Sequence, residues 1–332
     1  MDITTNPSFL DYDITQEPLD DKSQASQIIP LVTYFSGRDG FSSQLQTLSA
    51  PLTTLIGGRL GLFLGAGISL FYGLPSWEIL VSRVCESVRE DPLASGEDPI
   101  KKIAYLRSRY FDRKVPEFRK AVKEALYRGK TLDFEEIRKS PTLAAIGSLV
   151  MSSKRGSAAR VFTLNYDDLL ENYLEYHGFL TSTVYSDRHW ATNDDVTIYH
   201  PHGFLPISGK ADSEDIVFGT SEYLDIMSSE LWRPLLQTAL RTHTFLYVGT
   251  SGDDIHVQSL IASVKGKYPD EGGYYYQGVR FALEGAKDEV GYVLEGDGVF
   301  THRLSSYDDI PAFLFKICQQ ARVLRIEEKS AI

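Results

Sequence analysis

Short, continuous runs of apolar residues alternate along the chain with stretches in which apolar residues recur every three to four positions. The runs predict strands buried on both faces of a sheet, at Leu60–Leu64, Arg160–Leu164, Val196–Tyr199, Ile216–Phe218, Thr244–Val248 and Val279–Leu283. The longer-period stretches predict helices, over residues 41–55, 78–88, 167–177, 230–242 and 253–264. Strands that alternate with helices indicate an α/β fold with a doubly wound, mostly parallel, Rossmann-like sheet.

Changes in composition divide the chain into three parts. Residues 1–45 are predicted to be an acidic N-terminal extension and a lead-in helix, because the first 28 residues carry six acids, one lysine and few apolar side chains. Between residues 91 and 156 the apolar positions keep a helical spacing without strand-like alternation, which predicts an inserted helical module. The remainder, residues 46–90 and 157–332, is predicted to be the Rossmann-like core.

Charge and cysteine content exclude several classes of function. The chain has a net charge of -11 and no Lys/Arg run longer than two residues, so nucleic acid is not expected as a direct ligand. Cys85 and Cys318 belong to no C-x-x-C pair, which favours a reducing, cytoplasmic location over a disulfide framework or a thiolate zinc site. The uncharged segment Leu60–Trp77 is too rich in glycine to span a membrane.

The first motif that could have a chemical function is the glycine turn Gly65-Ala66-Gly67-Ile68-Ser69, which directly follows a predicted strand. Such a turn lets the backbone approach a pyrophosphate closely. Leu70 stands where the dehydrogenase fingerprint requires a third glycine, so hydride transfer is disfavoured. Glycines that serve only packing remain the alternative.

The second motif is Thr163-x-Asn165-x-Asp167, which runs from a predicted strand into a helix. At the carboxyl end of a parallel strand, Asn165 and Asp167 would point into the crevice where such sheets bind ligands. The alternative is that Asp167 or Asp168 only caps the helix.

The third motif is His200-Pro201-His202-Gly203, at the end of another predicted strand. Two histidines at this spacing raise the question of a metal site, but no third ligand lies nearby, and a metal is not expected. His202 is a candidate general base. A histidine satisfied within the core is the alternative.

The fourth motif is Gly249-Thr250-Ser251, after the predicted strand Thr244–Val248. Its small side chains would let a ribose or an adenine lie against the backbone. A plain turn from strand to helix is the alternative.

Taken in order, the four motifs and Gly73-Leu74-Pro75-x-Trp77 resemble the successive motifs of the sirtuin (silent-information-regulator) superfamily. Gly-Leu-Pro-x-Trp and Asn-Tyr-Asp-Asp-Leu-Leu-Glu look most like the bacterial sirtuin-like, NAD-hydrolysing branch found in anti-phage defence systems. The resemblance covers about residues 58–265.

The resemblance implies NAD as the substrate, with no metal required. It implies that His202 is the catalytic base, that Asn165 holds the nicotinamide ribose or its water, and that Asp167 contacts the carboxamide. The implied cofactor-binding positions are Gly65, Ala66, Gly67, Ser69, Pro75, Trp77, Asp167, Gly249, Thr250 and Ser251.

The sequence also departs from the deacetylase sirtuins. Leu164 stands where they carry a glutamine, Trp77 stands where they carry an arginine, and two cysteines cannot form their four-cysteine zinc module. The expected activity is therefore an NAD glycohydrolase that depletes NAD in defence by abortive infection. The alternatives are an NAD-dependent protein deacylase and a nucleotide-sensing regulatory subunit. Gating by homo-oligomer assembly, or by a partner such as a ring-forming ATPase, is expected because an unrestrained NADase is toxic.

Overall fold

The computed structural model describes most of the chain from Gly58 onward. The described residues are 58–151, 158, 160–186, 188–189, 194–208, 216–250, 255–265 and 277–319. They belong to one unit that runs from Phe41 to Ile332. The predicted extension (residues 1–45) and the helix predicted over residues 41–55 lie outside the described residues.

Seven parallel strands form one sheet in the described part of the chain. They are β1 (Leu60–Leu64), β2 (Arg160–Thr163), β3 (Thr181–Val184), β4 (Val196–Tyr199), β5 (Thr244–Val248), β6 (Gly278–Leu283) and β7 (Val299–Leu304). Their order is β3-β4-β2-β1-β5-β6-β7. From the central strand β1 the chain builds one half of the sheet and then crosses to β5 on the other side of β1. The doubly wound α/β fold is confirmed, and its reversal point lies between β1 and β5.

Helices connect the strands and cover the sheet. They are α1 (Trp77–Ser87), α2 (Pro99–Tyr110), α3 (Val115–Leu126), α4 (Phe134–Ile137), α5 (Pro141–Met151), α6 (Leu169–Tyr176), α7 (Thr220–Ser228), α8 (Trp232–Thr242), α9 (Ile255–Lys265), α10 (Glu289–Gly296) and α11 (310–319). Local sequence explains where several of these helices begin. The predicted N-cap Ser76 accepts from the amide of Ile79 at 3.5 Å, and Asp98 accepts from the amide of Ile100 at 2.9 Å, with Pro99 in the first turn.

The segment predicted to be a helical module is helical. Helices α2 to α5 occupy residues 99–151, and the segment contacts α1, where Arg83 donates to the carbonyl of Ala125 at 3.0 Å. Phe118 of α3 packs edge to face on Phe218, with ring centroids 5.6 Å apart. The boundaries of the helical segment as a separate module, residues 91–156, stay a prediction.

A row of aromatic side chains crosses the middle of the sheet on one face. Tyr199, Phe162, Phe63 and Tyr247 occupy paired positions on β4, β2, β1 and β5. Successive ring centroids lie 5.0, 6.1 and 5.5 Å apart, and each pair is stacked. Such pairs add about 0.5–1.5 kcal/mol each beyond the burial of their area. Because every ring comes from a different strand, the row fixes the register of four strands.

The prediction of a strand at Ile216–Phe218 is wrong. These residues are buried but form a loop, in which the amide of Val217 donates to the carbonyl of His202 at 2.9 Å. Tyr166 also donates to the carbonyl of Val217, at 2.5 Å. Because loop and side-chain partners satisfy this backbone, the apolar run needs no neighbouring strand.

Two strands, β3 and β7, were not predicted. They are the two edge strands of the sheet, and both mix polar residues with partly exposed positions. Edge strands of this kind lack the continuous apolar run that marks the central strands.

The turns that follow β1 and β5 are in direct backbone contact. The amide of Gly65 donates to the carbonyl of Val248, and the amide of Gly67 donates to the carbonyl of Gly249, each at 2.9 Å. A Cβ on Gly67 would lie 2.7 Å from the Cα of Gly249. Gly249 itself has a φ of +71°, a conformation that glycine adopts at little cost. The glycines therefore serve close packing at the reversal point of the sheet.

We expect Gly249→Ala to destabilise the fold strongly, because its Cβ would lie 2.7 Å from the amide nitrogen of Ile68 and 2.9 Å from the carbonyl oxygen of Gly65. The left-handed backbone costs about 1–2 kcal/mol, and forcing the turns apart adds about 1–3 kcal/mol. Urea unfolding measures the sum.

Gly285→Ala is the matched control, because Gly285 has a φ of +72° and no atom within 4 Å of an added Cβ. It should lose only the backbone contribution. Equal losses in the two variants would contradict the close packing of the turns.

Candidate active site

Three polar side chains form a buried cluster where β1 and β2 end. Ser69 donates from Oγ to Oδ2 of Asp167 at 2.9 Å. The amide of the Asn165 side chain donates to Ser69 Oγ and to the carbonyl oxygen of Gly65, both at 3.2 Å. The three residues are between 2% and 7% exposed. The structure thus brings together predicted site residues from the first two motifs, 96 and 98 positions apart.

Asp167 is an unusual carboxyl group. Burial raises its pKa from 3.8 to about 6, although the hydrogen bonds from Ser69 and from the amide of Leu169 lower it. The Leu169 amide donates to Oδ1 at 3.2 Å. The carboxylate thus anchors the cluster and also accepts from the first turn of α6. Asp167 therefore both caps this helix and belongs to the cluster.

The backbone of Asn165 is held on both sides. Its amide donates to Oγ1 of Thr163 at 3.1 Å, and its carbonyl oxygen lies 2.9 Å from Nδ1 of His200. Together with the two hydrogen bonds of its side chain, these contacts fix Asn165 in one orientation. A fixed orientation is what a group that positions substrate needs.

The two histidines of the third motif have different surroundings. His200 is fully buried, and its Nε2 lies 2.6 Å from Oε1 of Glu171, so both of its ring nitrogens have partners. His202 is half-buried at the following turn. The alternative of a satisfied core histidine therefore describes His200, and His202 keeps the position of candidate base.

The glycine turn offers fewer amides than its sequence indicates. The amides of Gly65, Gly67, Ile68 and Ser69 all donate to protein carbonyls, at 2.9 to 3.1 Å. Among the described residues, the amide of Ala66 donates to no protein acceptor, and Ala66 and Gly67 are exposed. Contact with a phosphate at this turn would therefore be centred on Ala66.

The remaining predicted positions are more scattered. Thr250 lies against the glycine turn, since its Cγ2 would be 2.8 Å from a Cβ on Gly65. Trp77 packs on Phe218 with ring centroids 4.7 Å apart, and Pro75 is buried. Phe218 in turn stacks on Tyr166 at 5.4 Å, so Trp77 supports the site through an aromatic cluster. Ser251 lies outside the described residues.

Two further contacts hold the loop after His202, one from the helical segment and one from the start of α6. The hydroxyl of Tyr127, at the end of α3, donates to the carbonyl of Leu205 at 2.7 Å. Asp168 Oδ1 accepts from the amide of Ile207 at 3.0 Å. Burial raises the pKa of Asp168 and, together with the nearby carboxylates Asp168 and Asp167, raises that of Tyr127 well above its ordinary value.

The roles of Glu171, Thr163 and Tyr127 were not predicted from the sequence. The sequence signal for Glu171 is its place in the mainly apolar stretch Leu169–Leu174, where a buried acid needs a partner. Thr163 and Tyr127 carry no such signal, since only tertiary contacts define what they do.

Within the part of the chain that the structure describes, no group of three or more His, Cys, Asp or Glu side chains is arranged to hold a metal ion. Among the helices described, none has the length and apolarity needed to cross a membrane.

Residues 159–291 match the family model described as "SIR2-like domain". The matched range includes Asn165, Asp167, His202 and Gly249 and begins after the glycine turn. The chain is also similar to Defense-associated sirtuin 2 of Bacillus subtilis, with 26% identity over 211 residues.

The aligned region is 63% of this chain but 19% of that relative, so the chain spans about a fifth of the relative's length. The predicted resemblance to sirtuin-like defence proteins is confirmed by these two matches. SIR2-like domains use NAD, which agrees with the predicted ligand.

We expect the stability of the protein to fall between pH 4 and pH 7 through Asp167. Its pKa in the folded state, about 6, lies above its ordinary value of 3.8, so the folded state binds the proton more tightly. The contribution, on the order of 3 kcal/mol, is present below pH 4 and lost as the pH rises through 6. Urea unfolding of the wild type and of Asp167→Asn at a series of pH values measures it.

Asp133→Asn is the matched control, because Asp133 is an exposed N-cap of α4 whose role an asparagine can keep. The pH profile of the control should follow that of the wild type. If Asp167→Asn also followed it, the buried carboxylate would not have the raised pKa.

Proposed function

We propose that the chain is an NAD+ glycohydrolase that releases nicotinamide and ADP-ribose. The observation that supports it best is the buried Ser69–Asn165–Asp167 cluster at the carboxyl end of the central strands, where such sheets bind nucleotides. His202 follows the adjacent strand β4. The SIR2-like match over residues 159–291 supports NAD as the substrate.

The residues have distinct roles in this proposal. The exposed turn at Ala66 and Gly67 contacts the phosphates, the backbone at Gly249 and Thr250 faces the adenosine end, and Ser251 is assigned there from its place in the motif. Asn165 holds the nicotinamide ribose or the attacking water. The Asp167 carboxylate, largely ionised at neutral pH, supports Ser69 and Asn165.

Hydrolysis replaces the bond from the ribose anomeric carbon to nicotinamide with a bond to water. His202 accepts the proton of that water, and neutral nicotinamide leaves with the bonding electrons. The positive charge that develops on the ribose favours a site containing a fixed carboxylate. General base catalysis of this kind contributes about 10²- to 10⁴-fold.

We expect His202→Ala and Asn165→Ala each to lower NAD turnover by at least about 10²-fold. The melting temperature should stay close to that of the wild type in His202→Ala and fall in Asn165→Ala, because the buried Asn165 side chain makes two hydrogen bonds. The products, nicotinamide and linear or cyclic ADP-ribose, are separated and quantified by chromatography. His177→Ala is the matched control, because this histidine is exposed at the end of α6 and should leave turnover unchanged.

The same assay separates the alternatives when an acetylated peptide and a chelator are added. Nicotinamide release that requires the peptide would replace the glycohydrolase with a deacylase. Binding of NAD without turnover in the wild type would instead support a sensing subunit. The proposed hydrolysis needs neither peptide nor metal.

We also propose a role in anti-phage defence, in which NAD depletion halts infected cells. The similarity to a protein named a defense-associated sirtuin supports it. Because continuous NAD loss would harm the host, activity is gated by homo-oligomer assembly or by a partner such as a ring-forming ATPase.

Gating by assembly predicts that the full chain is oligomeric and has low basal activity. A protein that begins at residue 29 lacks the six acids of the extension and should differ from the full chain in assembly or turnover. Light scattering together with the NAD assay measures both. A fully active monomer, unchanged by the truncation, would rule out gating through this segment.

A further inference from the structure

A buried ion pair contacts the backbone of Asn165 in the candidate active site. His200, at the end of β4, and Glu171, on α6, have side chains that are 1% and 6% exposed. Nε2 of His200 and Oε1 of Glu171 are 2.6 Å apart. Nδ1 of the same ring is 2.9 Å from the carbonyl oxygen of Asn165. Neither residue is among the predicted catalytic or cofactor-binding positions.

The partners determine where the protons lie. A carbonyl oxygen only accepts hydrogen bonds, so Nδ1 carries a proton and donates it to Asn165. The other ring nitrogen and the Glu171 carboxylate share one proton, and the pair as a whole is neutral. Burial lowers the pKa of His200, but attraction to Glu171 and the hydrogen bonds to Glu171 and Asn165 outweigh it and leave that pKa raised. Because an acceptor oxygen faces each ring nitrogen, the geometry favours the imidazolium form, which donates from both.

The imidazole ring connects three elements at one point. It is part of the chain leaving β4, it donates to the residue that follows β2, and it is anchored by α6. Phe204 packs edge to face on it, with centroids 4.7 Å apart. Asn165 therefore depends on this ring for the direction of its carbonyl, and the same peptide segment carries its side-chain amide toward Ser69.

The chain also links the ring to the candidate base. His202 follows His200 by two residues, and the intervening turn is closed by the amide of Gly203, which donates to the carbonyl of His200 at 3.0 Å. Displacement of the ring would therefore move Asn165 and His202 together.

We propose that His200 and Glu171 are a positioning pair, which sets the geometry of Asn165 and of the turn bearing His202 without contacting the substrate. The proposal rests on the proposed NAD hydrolysis. Misplacement of reacting groups by about 1 Å costs about 10²-fold in rate. Loss of the pair should accordingly lower kcat more than it raises KM.

The test replaces the pair with apolar residues of similar size, as His200→Leu combined with Glu171→Met. Well-packed apolar substitutes for a buried ion pair often preserve stability, so a purely structural pair predicts wild-type kcat. The positioning pair predicts a folded protein whose kcat falls about 10- to 100-fold, with KM within about threefold.

Glu171→Gln is the conservative variant. A glutamine amide can donate to Nε2 of a neutral His200, whose Nδ1 still donates to Asn165, so kcat should stay within about threefold of the wild type. Glu171→Met alone removes the anchor of the ring and should lower kcat. These two single variants test the proposal if the double variant does not fold.

The matched control is another buried ion pair, in which Arg280 on β6 donates to Asp288 before α10 at 2.8 Å. Its replacement by Arg280→Met with Asp288→Asn, which keeps an N-cap for α10, should leave kcat unchanged.

A second measurement does not depend on turnover. The side-chain amide signals of Asn165, assigned in an NMR spectrum by their loss in Asn165→Ala, should shift in the His200→Leu/Glu171→Met variant and stay in place in the Arg280 control. If the wild type does not cleave NAD, the proposed function fails while this measurement still tests the pair. Unmoved Asn165 signals, or wild-type kcat in the folded double variant, would overturn the proposal.

Discussion

The candidate site depends on the backbone contact between the turns after β1 and β5. Gly67 donates to Gly249 at 2.9 Å, and no side chain larger than hydrogen fits between them. This contact holds the two turns together at the reversal point of the sheet and thereby fixes the position of Ser69. With Ser69 fixed, Asn165 and Asp167, which follow the next strand, lie within reach of their hydrogen-bond partners.

The site combines burial with polarity, and each buried polar group is matched by a partner. Asp167 is stabilised by Ser69 and the amide of Leu169, and His200 is stabilised by Glu171. Unpartnered, such groups would be costly in the interior. Because these groups follow or belong to four different elements, the polar network specifies one arrangement of β1, β2, β4 and α6. That rigidity is what a site needs to hold a ligand in a single geometry.

The helical segment is connected to the same network. Tyr127 donates to Leu205 in the loop after His202, and Phe118 contacts Phe218, whose ring stacks on Tyr166 between Asn165 and Asp167. A displacement of helix α3 would therefore also displace the loop next to the candidate base. These contacts provide a physical route between that segment and the site.

The pattern of apolar residues predicts the central strands, because β1 and β5 are continuous apolar runs that only a doubly covered sheet can bury. It also predicts that Asn165, Asp167 and His202 lie at strand ends. It could not reveal the polar edge strands β3 and β7, nor that the apolar run at Ile216 is a loop. Which histidine is buried depends on tertiary packing, because His200 pairs with Glu171, which is 29 residues away in the sequence. Hydrogen bonds between distant residues depend on how the elements pack, and local pattern carries no record of that packing.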